Sequence, residues 1–95
     1  MQPYYYITVK YPNSNQKEFM MNVPFGYMGK ENKRVWSISN YDEKRCKFNT
    51  LKDCAIYIQT RFNQDFNAEN VYEVMYVDED GNLSSYDTYR KCDCL

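Results

Sequence analysis

Cys46, Cys54, Cys92 and Cys94 are the side chains of this 95-residue sequence best suited to chemistry. Four thiolates can hold a zinc ion, and the usual mark of that site is a pair of C-x(2–4)-C knuckles. Cys92-Asp93-Cys94 has a single spacer, and Cys46 and Cys54 stand too far apart to make a second knuckle. Disulfides are the other use of paired cysteines, in oxidising compartments. The opening MQPYYYITVK shows no basic stretch followed by an apolar one. The expectation is therefore no signal peptide, a cytoplasmic protein and free thiols. The terminal CDCL fits a C-a-a-X frame only loosely, because Asp93 stands at an aliphatic position. Asn82-Leu83-Ser84 matches a glycosylation acceptor, which is idle in a cytosol.

The carboxylates come next. Asp78-Glu79-Asp80-Gly81-Asn82 gathers oxygen ligands but lacks the EF-hand spacing and its closing glutamate. Histidine is absent from the chain. That removes the commonest general acid or base, the commonest metal ligand, and both the Ser-His-Asp and Cys-His nucleophilic systems. The glycines Gly26, Gly29 and Gly81 form no phosphate-cradling motif. The expectation is no enzyme, no metal and no cofactor, with a carboxylate enzyme as the lowest of three functional readings.

A chain of this length makes one compact domain, residues 1–95, with one modest core. Its mean hydropathy is -0.84 and no apolar run approaches a membrane span. Tyr4 to Tyr11 reads as a strand of aromatic and β-branched residues. Pro12 to Gln16 is a turn cluster. Lys17 to Val23 alternates, with Phe19, Met21 and Val23 on one face and Glu18, Met20 and Asn22 on the other. Residues 24–33 read as irregular, and Arg34 to Ser39 as a short strand with Trp36 and Ile38 inward.

Thr50 followed by Asp53 marks a helix start. Leu51, Cys54, Ala55, Ile58 and Phe62 then form one apolar stripe, opposite Lys52, Gln59 and Asn63. The spacing predicts a helix over Leu51–Asn63. Asp80-Gly81 predicts a type I′ hairpin turn. That register sets Val77 against Ser84, Met75 against Tyr86 and Tyr72 against Tyr89. The fold class is α+β: an antiparallel sheet of about five strands, in order β-β-β-α-β-β, with one helix on one face and the other face in solvent.

That open face is where the tyrosines belong in this reading. With Tyr5, Ile7 and Val9 under the helix, Tyr4, Tyr6 and Thr8 point outward. Placing Val71, Met75, Val77 and Tyr86 in the core leaves Tyr72, Val74, Tyr76 and Tyr89 outside. Tyr4, Tyr6, Tyr72, Tyr76 and Tyr89 then gather into a contact surface. Tyrosine suits one, being large, short of rotamers and tolerant of water. Plain cross-strand packing would use the same rings.

Charge is segregated along the chain. Between Phe62 and Tyr89 no Lys or Arg occurs, while Asp65, Glu69, Glu73, Asp78, Glu79, Asp80 and Asp87 do. Lys30, Lys33, Arg34, Lys44, Arg45, Lys47 and Lys52 lie earlier. The leading reading is a non-enzymatic protein-binding module. Its acidic residues Asp78, Glu79 and Asp80 would meet a larger partner with a basic surface. Asn, Lys, Tyr and Phe, with their AT-rich codons, are abundant. By analogy of size and composition, the expected class is a phage or mobile-element inhibitor of a host nucleic-acid-handling or defence protein, of the anti-CRISPR kind, acting in the host cytoplasm. The alternative is a single-strand nucleic-acid binder that stacks bases on Tyr4 and Tyr6, which the acidic hairpin would oppose. The sequence leaves a homodimer open and points to no membrane partner.

Overall fold

Thr50 caps the helix as its position predicted. Its Oγ1 accepts the Asp53 amide at 3.1 Å, and its carbonyl accepts the Cys54 amide at 3.4 Å. The computed structural model describes residues 2–39, 42–64 and 69–90. The side chain of Phe62, and all of Asp65, Cys92 and Cys94, lie outside what it describes. The helix α1 spans Leu51–Gln64. Cys54 and Ile58 are fully buried, Leu51 and Ala55 half-buried, and Lys52, Gln59 and Asn63 exposed, so the apolar stripe faces the sheet.

The sheet is antiparallel and five-stranded. Its strands are β1 Tyr4–Lys10, β2 Glu18–Phe25, β3 Glu31–Ser37, β4 Val71–Val77 and β5 Leu83–Arg90, in the spatial order β3-β2-β1-β4-β5. The α+β class is as the sequence predicted. One helix packs against one face, beside β1 and β4. Beneath it Ile7, Val9, Met20, Cys46, Phe48, Tyr72 and Val74 join Cys54 and Ile58 in the main core.

The third strand differs from its prediction. β2 and β3 pair without interruption from Phe19↔Ser37 to Phe25↔Glu31, so residues 24–25 and 31–33, read as irregular, are strand, while 26–30 form the loop between them. The connecting loop is tight because Gly26 and Gly29 take left-handed φ of 85° and 67°. Trp36 packs on the core, its ring 6.1 Å from that of Tyr72. Ile38 lies past the strand end and is exposed, because the pairing has already stopped at Ser37.

The last hairpin corrects a turn and a face. A type I′ turn needs two residues at positive φ. Here only Gly81 has one, 85°. The Gly81 amide donates to the Asp78 carbonyl at 3.0 Å and the Asp78 amide to the Asn82 carbonyl at 3.1 Å. This is the pattern of a three-residue loop ending in a left-handed glycine bulge. Val77 therefore pairs with Leu83 and Met75 with Ser85. A bulge between Val74 and Met75 then restores Tyr72↔Tyr89, leaving Tyr86 as the extra residue.

Register with β1 decides which face is which. Tyr5↔Tyr76, Ile7↔Val74 and Val9↔Tyr72 place Tyr76, Val74 and Tyr72 on the helix side. Val71, Met75 and Val77 share the reverse side with Tyr4, Tyr6 and Thr8. Both alternating sets of β4 are apolar or aromatic, so the sequence pattern was blind to the choice.

The reverse face is not simply open. β1 and β2 pair only at Thr8↔Phe19 and Val9↔Glu18 and then part. Residues 45–48 occupy the gap as a wedge. Phe48 and Tyr5 exchange two backbone hydrogen bonds of 2.8 Å, and the Cys46 amide donates to the Met20 carbonyl at 3.0 Å. Side chains of the wedge alternate. Cys46 and Phe48 enter the main core, while Arg45 and Lys47 cover the rings of Tyr6 and Tyr4 on the reverse side. A second, smaller core results: Tyr4, Tyr6 and Val77, with Phe19 and Met75 against them.

Candidate interaction surface

The predicted tyrosine surface does not form. Tyr4, Tyr6 and Tyr72 are 6%, 1% and 1% exposed. Tyr4 and Tyr6 lie on the reverse face, while Tyr72, Tyr76 and Tyr89 lie on the helix face. Burial of Tyr6 is achieved by the Arg45 guanidinium, whose carbon sits 4.5 Å from the ring centroid. The Lys47 ammonium stands 4.8 Å from the Tyr4 ring. Tyr89 and Tyr76 are half-buried.

Tyr86, assigned to the core from the sequence, is 54% exposed. The bulge on β5 turns it toward Tyr5 and Tyr76, with ring centroids 5.6 and 6.4 Å away. Tyr5 and Tyr76 are themselves 5.0 Å apart. These rings pack on one another, leaving only the outer flank of Tyr86 for contact.

The acidic turn is placed as a projection. Glu79 and Asp80 are exposed. Asp78 is the structural member: its Oδ1 accepts the amides of Asp80 and Asn82, each at 2.9 Å. The Asn82 amide foremost, with those of Asp80 and Gly81, holds the Asp78 carboxyl below its usual range. Leu83 beside the turn is exposed.

Glu73 lies further along the hairpin on the reverse face. Lys17 and Ser85 both bond its carboxylate, the latter at 2.7 Å. Burial pushes this carboxyl up, but the hydrogen bonds from Lys17 and Ser85 and the charge of Lys17 outweigh it, and the net shift is downward. Glu73 is thus a structural ion pair.

Two open clefts flank the wedge. One, of about 340 Å³, lies on the reverse side between Tyr4, Glu43, Arg45, Lys47 and Leu83. The other, of about 440 Å³, runs between Arg34 of β3, the wedge and α1 from Asp53 to Thr60. There the Arg34 guanidinium is 5.3 Å from the Phe48 ring and 5.4 Å from the Tyr57 ring. Both clefts mix charges of either sign in contact with solvent.

The described thiols are inert. Burial, then the charge of Asp53 and the neighbouring Cys46, pushes Cys54 up to about 12. Burial raises Cys46 as well, against an opposing pull from Arg34. Among the described residues no three Cys, Asp or Glu side chains gather as a metal site, and no helix is long and apolar enough to cross a membrane.

One exposed feature had a faint signal in the sequence. Tyr27 and Met28 project from the β2–β3 loop, 84% and 79% exposed. Gly26 and Gly29 bracket them in the sequence, but nothing there said that both side chains would be held outward. Comparison of the chain with protein-family models, with curated proteins and with solved structures finds no match in any of the three.

Proposed function

We propose that this chain is a non-enzymatic protein-binding module whose contact surface is the β4–β5 hairpin. One observation carries the reading. The hairpin projects Glu79 and Asp80 with exposed Leu83 at the foot of the turn, exposes Tyr86 further along β5 on the helix face, and from Val71 to Tyr89 contains no Lys or Arg. An acidic turn with an aliphatic anchor at its foot, and an aromatic one on the other face of the same hairpin, suit a larger protein with a basic surface that grips the hairpin. Proteins that handle nucleic acid carry such surfaces. Inhibition of one of them, by a phage or mobile-element product of the anti-CRISPR kind, is the finer form of the proposal. The contact set of the sequence reading is revised accordingly: Glu79 and Asp80 stay, and Tyr86 and Leu83 replace the buried Tyr4, Tyr6 and Tyr72.

The nucleic-acid alternative loses its support, because rings covered by Arg45 and Lys47 offer no face for stacking. The test is retention from an extract of the encoding cells on the immobilised full chain. Wild type is compared with Glu79→Lys/Asp80→Lys and with Tyr86→Ala. The expected result is a protein retained by wild type, released by salt and lost with both variants. Equal retention by all three, or tight binding of single-stranded oligonucleotides by wild type, overturns the reading.

A further inference from the structure

One end of the sheet collects features that the core does not explain. β1 begins there, β2 and β4 end there, and β2 and β4 lie on opposite sides of β1. The loop after β4 is acidic, with Glu79 and Asp80 exposed and Leu83 at its foot. The loop after β2 is apolar at its tip, with Tyr27 and Met28, and basic behind it, with Lys30 and Lys33 exposed. The intervening Glu31 is exposed too and leans toward the start of the loop, its Oε2 3.1 Å from where a Cβ on Gly26 would lie, so the two lysines keep a local excess of one positive charge.

The apolar tip is a shaped display. The Gly29 and Lys30 amides donate to the carbonyls of Gly26 and Tyr27, at 3.2 and 3.3 Å. Met28 itself takes φ 56°, ψ 22°. A methionine there is strained, and no core contact at this exposed position offsets the strain. The fold spends this to hold two apolar side chains outward.

We infer that a second copy of this chain docks on this end of the sheet, related to the first by a two-fold axis normal to the sheet. Such an axis carries the β2 side of one copy onto the β4 side of the other. The acidic turn of each copy then meets Lys30 and Lys33 of its neighbour, twice over, as an isologous contact requires. Tyr27 and Met28 of each copy then lie against the acidic turn and Leu83 of the other, on either side of the axis. A two-fold axis lying in the sheet across the strands would set acid on acid, so the charges select one of the two arrangements. With a formal net charge of -1, two copies meet little overall repulsion. The contact stands independently of the partner reading but uses the same turn. A second copy and a larger basic partner would therefore exclude one another.

Sedimentation velocity of the full chain over a concentration series, at low and high salt, tests this. The expected result is a salt-sensitive dimer. Met28→Gly removes both the side chain and the strain. It should keep or raise the melting temperature while weakening the dimer about tenfold or more. An acid-reversed chain, Glu79→Lys/Asp80→Lys, and a base-reversed chain, Lys30→Glu/Lys33→Glu, should each be folded monomers by circular dichroism and sedimentation. Mixed in equal amounts they should restore the dimer. The inference is overturned by a wild-type monomer at every concentration, by folded reversed chains that stay monomeric when mixed, or by open-ended larger species. It is overturned equally by a monomer that binds phosphatidylserine vesicles through Tyr27, which would make the tip a lipid contact.

Discussion

Arg45 donates a hydrogen bond from Nη1 to the Tyr4 hydroxyl at 3.0 Å, and both residues are buried on the sheet face away from the helix. A guanidinium removed from water must keep its donors occupied, and here it also lies over the Tyr6 ring. It acts as the lid of the second core. Arg45→Ala should therefore cost about 2–4 kcal/mol, combining a charged hydrogen bond with a cation–π contact. Tyr4→Phe should cost only about 1 kcal/mol. Urea denaturation measures both, and a neutral Arg45→Ala would show that solvent already reaches these rings.

The face assignment has its own mutational signature. Ile58→Ala should cost about 2–5 kcal/mol and Tyr72→Ala about 3–5 kcal/mol, since both are 1% exposed between the helix and the sheet. Lys52→Ala, on the outer side of the helix, should stay within about 0.5 kcal/mol. Tyr86→Ala should cost far less than Tyr72→Ala. A reversed order of the two tyrosines in thermal melts would return Tyr72 to the surface.

Acid should weaken the fold in a defined window. The folded-state values of Glu73 and Asp78 lie below their ordinary 4.5 and 3.8. Between the two states' values the unfolded chain binds more protons, so stability rises with pH there. The contribution is complete above the ordinary values and is lost as pH falls through the folded ones. The melting temperature should be level from neutrality to about pH 5 and fall below about pH 4. Glu73→Gln should make that fall shallower. An unchanged slope would mean that the Lys17 pair contributes nothing.

Native Cys46 and Cys54 should resist alkylation at pH 8 and become labelled only in denaturant, as peptide mass spectrometry would resolve. Added chelator should leave the melting temperature unchanged. Rapid labelling of Cys54 in the native protein would mean that the helix opens readily. A chelator-induced loss of stability would revive a metal site.

The parts of the fold written locally were legible in the sequence. The cap at Thr50 and the stripe through Leu51, Cys54 and Ile58 involve residues a turn apart, and they fixed the helix and its buried side. Asp80-Gly81 located the last hairpin, but its turn type depended on the Asp78 carboxylate, which holds two amides and favours a single left-handed residue. That difference moved Val77 from Ser84 to Leu83, and a bulge moved the pairing back. A one-residue slip exchanges faces. In β4, where Val71 and Tyr72 are equally suited to burial, periodicity carries no information about the result. Arg45 read as a surface base because its ring partners precede it by some forty residues in the chain. The acidic turn was legible because exposure is the default for Glu79 and Asp80.

The wedge between β1 and β2 has a consequence for how the chain is made. β1 precedes the other strands in the chain and sits at the centre of the finished sheet, yet its neighbours arrive late. With β2 it shares only two paired positions, too little for a hairpin to persist in water. Tyr5 must wait for Phe48, and the whole strand for residues 71–77. During that interval a tyrosine-rich segment of high β-propensity has both edges open to any passing strand. Its protection in the nascent chain falls to the wedge and the helix, which follow one another directly from Phe48 to Leu51 and can close on β1 together before β4 has emerged.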